Sequence, residues 1–178
     1  MKNDIDEQTI RQNLIYKGRI IDIYADDVRL PNGKEGKREY VSHRGGAAIL
    51  PIDAEGNVYL VRQFRYPYRE VILEIPAGKL EAGEDPAETA KRELEEETGY
   101  RCTELVPYGV LYPTPGYTNE HLYIYLASGL TKGTVHLDED EFVNLVVLPF
   151  DTVYQMVLDN RIRDAKTSFA ILRYAQKR

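Results

Sequence analysis

The chain has 178 residues, 43% of them hydrophobic and 29% charged, with a formal net charge of −6 and a pI near 5.2. That is enough chain for one soluble domain with an accessory element, and the acidic balance argues against binding nucleic acid or an anionic membrane through bulk charge. A lone cysteine, Cys102, excludes an internal disulfide and a cysteine-rich zinc site, and the polar start MKNDIDEQTI lacks the apolar core of a signal peptide, so a reducing, cytoplasmic setting is expected.

Residues 1–14 read as a polar lead or a short helix. Residues 18–30 (GRIIDIYADDVRL) are rich in Ile, Val and Tyr and partly alternate, which predicts a strand. Asn32-Gly33 is a hairpin turn signal, because both residues tolerate positive φ, and the return strand is expected near 37–43. AAILPID (47–53) and VYLVRQF (58–64), separated by Ala54-Glu55-Gly56-Asn57, predict a second hairpin, and VILEIP (71–76) a further short strand. A helix should begin at Asp85: Asp is a good N-cap, Pro86 suits the first helical position, and Glu88 completes a capping-box-like pattern. Gly99 is its natural stop, and Ala87, Ala90 and Leu94 give it an inward stripe. Strands are expected near 105–112, 121–127 and 142–148, then helices at 150–159 and 164–177. Strands, a central helix and terminal helices together predict a mixed sheet with packed helices.

The central helix breaks local rules. Glu93, Glu96 and Glu97 stand at i,i+3 and i,i+4 spacing, expected on one side roughly away from Leu94. Each like-charged pair costs about 0.2–0.5 kcal/mol on an exposed helix, and the last turn already disfavours anions. A solvated charged face, helped by Glu88–Arg92 and Arg92–Glu96 pairs, is one reading. A divalent cation seated among the carboxylates is the other, since hard cations take oxygen ligands and share their shell with phosphates.

The surrounding pattern favours the second. Gly78, Glu84, Arg92-Glu93-Leu94, Glu96-Glu97 and Gly99 fall at the spacing of the Nudix box, with Tyr100 as an aromatic variant at its last position. The chain thus resembles the Nudix hydrolases, which cleave a nucleoside diphosphate linked to another moiety. The resemblance implies Mg²⁺ (or Mn²⁺) bound by Glu93, Glu96, Glu97 and the main-chain carbonyl of Ala77. Arg92 would orient these carboxylates, Glu96 would act as a ligand or as a base through water, and Glu84 would support the loop.

Other segments resemble the bacterial ADP-ribose pyrophosphatase group over nearly the whole chain: Leu30-Pro-Asn-Gly33, Lys37-Arg-Glu39, Gln63-Phe-Arg65, Glu74-Ile-Pro-Ala-Gly78, Asp164-Ala-Lys-Thr167, and Pro115 fifteen residues after Tyr100. The implied reaction is hydrolysis of ADP-ribose to AMP and ribose 5-phosphate. Another nucleoside diphosphate sugar such as GDP-mannose is the alternative substrate, and a nucleotide-binding module without turnover is the alternative class. Arg38, Arg44 and Arg65 would meet phosphates or the terminal ribose, against a reading of each as a surface arginine on a strand. Glu39 would accept from the adenine amino group or else form a cross-strand ion pair. Ile20 lies where relatives place a residue against adenine, and also fits a core position. Pro115 and Gly116 would shape the ribose loop, and Glu120 would bind a ribose hydroxyl or stand as a surface charge. In the acidic run 138–141, Glu141, or Glu139 in its place, would supply the loop carboxylate. His43, His121 and His136 form no metal-spaced pair.

The implied fold is the α/β/α Nudix sandwich with a mixed sheet (46–178) preceded by a small antiparallel sheet (1–45). In similar enzymes that first sheet is exchanged between two subunits, so a homodimer is expected.

Overall fold

The computed structural model describes residues 4–137 and 142–178. They form two compact units: Met1–Arg44 with Thr114–Glu120, and Gly45–Pro113 with His121–Arg178.

The first unit is an antiparallel sheet. Its centre is β3 (Asp22–Arg29). β4 (Glu35–Ser42) runs along one edge in unbroken register, from Asp22↔Ser42 to Arg29↔Glu35. The link between them is the expected tight turn, with Gly33 at φ 81° and the Leu30 N–H donating to the Lys34 carbonyl. The other edge is shared by β1 (Gln8–Arg11) and β2 (Leu14–Lys17), which pair with successive halves of β3. The polar start is therefore strand, not helix. Between them Asn13 binds the Ala25 carbonyl and the buried Asp26 carboxylate, which holds the irregular join in place. The strand expected from residue 18 begins only at Asp22, and Ile20 is 56% exposed rather than core. The segment 114–120 joins this unit through Val41, whose N–H donates to the Tyr117 carbonyl.

The second unit holds two sheets and three helices. One sheet has the order β8 (Ala77–Lys79), β5 (Gly46–Pro51), β10 (Leu122–Lys132), β9 (Tyr100–Leu111). It is mixed: β5 and β10 are parallel, the other pairs antiparallel. The other has the order β11 (Val143–Pro149), β6 (Asn57–Arg65), β7 (Glu70–Glu74) and is antiparallel.

The second expected hairpin does not form. β5 and β6 lie in different sheets, joined by the single bridge Ile52↔Val58. The reason is burial. All six residues of β5 are inaccessible, so the strand must be covered on both faces, as parallel-paired strands are. Ala48 and Leu50 pack with Val58, Leu60 and Ile124 under α2 (Phe150–Leu158) and α3 (Ala165–Ala175). Ala47 and Ile49, on the opposite face, pack with Ala90 and Leu94 of α1 (Pro86–Thr98). Helix α1 thus covers one face of the mixed sheet and α2–α3 the other core, which is the sandwich that the resemblance implied.

Candidate active site

Helix α1 is built as its sequence requires. The Asp85 carboxylate accepts from the Ala87 N–H at 2.7 Å, Pro86 opens the first turn, and Gly99 closes the helix at φ 72°. What differs is the direction of the glutamates. Glu93 and Glu97 are buried beside Leu94, at 7% and 5% exposure, so they do not form a solvated face. The seven-residue step from Ala90 to Glu97 is nearly two whole turns and carried this signal. These carboxylates point at the start of β8. The Ala77 N–H donates to Glu97 Oε2 at 3.1 Å. A Cβ on Gly78 would lie 1.6 Å from Glu93 Oε1, so only glycine lets this carboxylate reach the backbone there.

Arg92 gathers the rest. Its Nε and Nη2 donate to the two oxygens of Glu84 at 3.1 and 3.3 Å. Its Nη1 donates to Glu93 Oε1 and Glu96 Oε2, each at 2.8 Å. The hydrogen bond from Arg92 is the largest influence holding the Glu84 carboxyl down at about 2. Burial disfavours the Arg92 charge, but the Glu84 bond and the charges of Glu93 and Glu96 outweigh it and raise its pKa. Glu84 also accepts from the Glu81 N–H at 3.0 Å, so it ties the loop before the helix to the arginine.

Among the described residues, no three His, Cys, Asp or Glu side chains stand in a finished metal-holding arrangement. The side chains gathered here, the carboxylates of Glu93, Glu96 and Glu97, nevertheless fit a hard divalent ion in kind, since such ions take oxygen ligands.

Arg65, at the end of β6, lies in the same unit. Its Nε donates to Glu74 Oε1 at 2.7 Å. Arg44 is exposed. Of the residues in the first unit, Glu39, Pro115 and Gly116 are also exposed. Glu120 lies 3.6 Å from His43 Nδ1. Arg38, expected at phosphate or ribose or else as a surface arginine, forms a two-pronged ion pair with Glu7, its Nε at 2.8 Å from Oε2 and its Nη2 on Oε1. Glu139 and Glu141 fall outside the described residues. Two buried charged residues of the second unit had no role assigned from sequence: Glu74, 2% exposed, and Lys166, 7% exposed. A glutamate inside VILEIP, an otherwise apolar strand segment, was the signal for the first.

A NUDIX domain profile matches residues 42–170. The chain belongs to the Nudix family. A second profile, the nucleoside diphosphate sugar hydrolase N-terminal domain, matches residues 7–41, the strands of the first unit. The chain is similar to the ADP-ribose pyrophosphatase of Bacillus subtilis, with 44% identity over 94% of this chain and 91% of that protein. It is 45% identical to the methanol dehydrogenase activator of Bacillus methanolicus, over 93% and 91% of the two chains. A solved structure titled as an ADP compounds hydrolase superposes with a TM-score of 0.87 at 22% identity, covering 99% of this chain and 96% of that one, which establishes the fold. Nudix hydrolases generally need a divalent metal. No helix among the described residues is long and apolar enough to cross a membrane.

Proposed function

We propose that this Nudix hydrolase cleaves the diphosphate of ADP-ribose with Mg²⁺, giving AMP and ribose 5-phosphate. The observation that carries the reading is the inward pair Glu93 and Glu97 at the Ala77–Gly78 backbone. Similarity to an ADP-ribose pyrophosphatase across nearly the full length supports the choice of substrate.

In this reading Glu93, Glu96, Glu97 and the Ala77 carbonyl hold the metal. The ion supplies charge neutralisation and a water of lowered pKa. The protein's own residues do the remainder. Glu84 fixes Arg92, and Arg92 fixes the carboxylates through charge-assisted hydrogen bonds. Arg65 binds the diphosphate; one of its five donors is spent on Glu74, and its fork suits phosphate oxygens. Water adds to phosphorus, the bridging P–O bond breaks, and the displaced phosphate oxygen leaves with the second product. Glu141, or Glu139, takes the proton.

Arg38, Glu39, Arg44, Ile20, Pro115, Gly116 and Glu120 are assigned to substrate on the resemblance alone, and Arg38 shares its guanidinium with Glu7. The first unit leaves Ile10, Leu14, Ile15, Tyr16 and Ile20 between 44% and 66% exposed, which supports a homodimer buried on that sheet. A cytoplasmic location completes the reading.

The test is a product analysis with Mg²⁺ and a panel of ADP-ribose, GDP-mannose, ADP-glucose and NADH. Preferred release of AMP and ribose 5-phosphate from ADP-ribose is expected. Preference for GDP-mannose would keep the metal site and overturn the substrate. Light scattering at micromolar concentration should give the mass of two chains.

A further inference from the structure

Behind Arg65 lies a closed ring of side chains that the proposed chemistry does not use. Glu74 Oε1 accepts from Arg65 Nε at 2.7 Å, and Glu74 Oε2 is held by Lys166 Nζ. Lys166 Nζ also reaches Asp164 Oδ1 at 3.1 Å. Asp164 is the N-cap of α3; its Oδ2 accepts from the Thr167 N–H at 2.9 Å and from Thr167 Oγ1 at 2.5 Å. Thr167 Oγ1 in turn accepts from the Ile75 N–H at 2.8 Å, which returns the chain to the residue after Glu74. Thus the first turn of α3 is fastened to Glu74, the last residue of β7, and to Ile75, two residues before Ala77.

The burial makes this arrangement selective. Glu74 and Lys166 side chains are 2% and 8% exposed. An ionised carboxylate so deep needs more than one partner. Lys166 holds one oxygen, and Arg65 Nε donates to the other. Anchored through Nε, the half-exposed guanidinium has its terminal nitrogens to offer a ligand. The charge of Glu97 also bears on Arg65, so this guanidinium stands in the field of the box carboxylates.

We propose that Glu74 and Lys166 are positioning residues for substrate: together they lock the Arg65 guanidinium in the orientation that binds the diphosphate. The proposal rests on the reading that Arg65 meets that diphosphate. Neither residue touches substrate. Lys166 acts through Glu74, and Glu74 through Arg65, from a sequence distance of 92 residues. Orientation of a binding group by a rigid support affects affinity even when every direct contact is retained.

Binding of the non-hydrolysable α,β-methylene analogue of ADP-ribose, followed by calorimetry with Mg²⁺ present, tests this. Arg65→Ala and Lys166→Met should each weaken binding about tenfold. In the Arg65→Ala background, Lys166→Met should add no further loss. A purely structural lysine would give the same loss in both backgrounds, and that result would overturn the proposal. If Lys166→Met unfolds, the double variant Glu74→Leu/Lys166→Met replaces the buried pair with apolar side chains, a change that proteins tolerate. It should fold and still bind about tenfold more weakly; wild-type affinity would sink the idea. Wild-type affinity in Arg65→Ala would remove Arg65 from the diphosphate and so defeat the underlying reading. A weak Arg65→Ala beside a tight Lys166→Met would defeat the positioning role alone.

Discussion

Around Arg92, three carboxylates share one guanidinium. Around Glu74, two carboxylates and two cations alternate in a line: Arg65, Glu74, Lys166, Asp164. The first cluster carries excess negative charge beside a glycine that clears space for a carboxylate. The second is balanced, with its central pair Glu74–Lys166 buried. An unbalanced cluster lowers its energy by taking up a cation, so it is where chemistry is expected. A balanced one has no excess charge for a cation to offset, and its energy goes into holding its own parts, the Arg65 guanidinium among them, in place. The two respond to loss of charge in opposite ways, which makes the contrast measurable.

The largest expected effect falls on the unbalanced side. Glu97→Gln should lower turnover of ADP-ribose by about 10²–10³-fold, measured as AMP release, because it weakens the hold on the ion that would stabilise the charge of the transition state. Its stability should be unchanged or slightly raised, since the amide oxygen can still accept from Ala77 and a like charge near Glu93 is gone. A folded Glu97→Gln enzyme at full speed would break the contrast.

The balanced cluster should behave the other way. Lys166→Met strands a buried carboxylate and should cost about 3–5 kcal/mol of stability in urea unfolding. A loss below 1 kcal/mol would show that Glu74 does not depend on Lys166.

Gly78→Ala sharpens the geometry of the first cluster. The added methyl meets Glu93 Oε1, and the carboxylate or the β8 backbone must move. A stability loss of about 1–3 kcal/mol is expected, the range for forcing an extra methyl into a packed site, with turnover reduced as well. Wild-type values of both would mean that Glu93 can withdraw freely.

The smallest effect is on pH dependence. Arg92 holds the Glu84 carboxyl from its ordinary value of 4.5 down to about 2. A depressed carboxyl stabilises the fold above its unfolded pKa, and that contribution is lost as pH falls from about 4.5 towards 2. Glu84→Gln should therefore flatten this acid limb in thermal denaturation between those pH values. An unchanged acid limb would exclude the Glu84–Arg92 pair as its source.

Much of this was readable in the residues. The capped helix 86–98, the Asn32-Gly33 turn and the three strands after the box follow from local signals that folding retained. The failures have physical causes. The pair 47–53 and 58–64 looks like a hairpin because both segments are apolar and a turn separates them, but a local pattern cannot show that a strand is needed in two cores. The polar start became strand because β3 had an edge to fill, where pairing overrides weak propensity. Arg38 found Glu7, 31 residues away, which no local signal encodes.

The sequence by itself determined the family, the central helix and the identities of the clustered glutamates, because motif spacing and capping act over a few residues. Only the tertiary structure decided which way those glutamates face, that Gly78 makes room for one of them, and that Lys166 meets Glu74. These are contacts across long stretches of chain, fixed by which surfaces must be buried together, and burial is a property of the whole fold rather than of any segment.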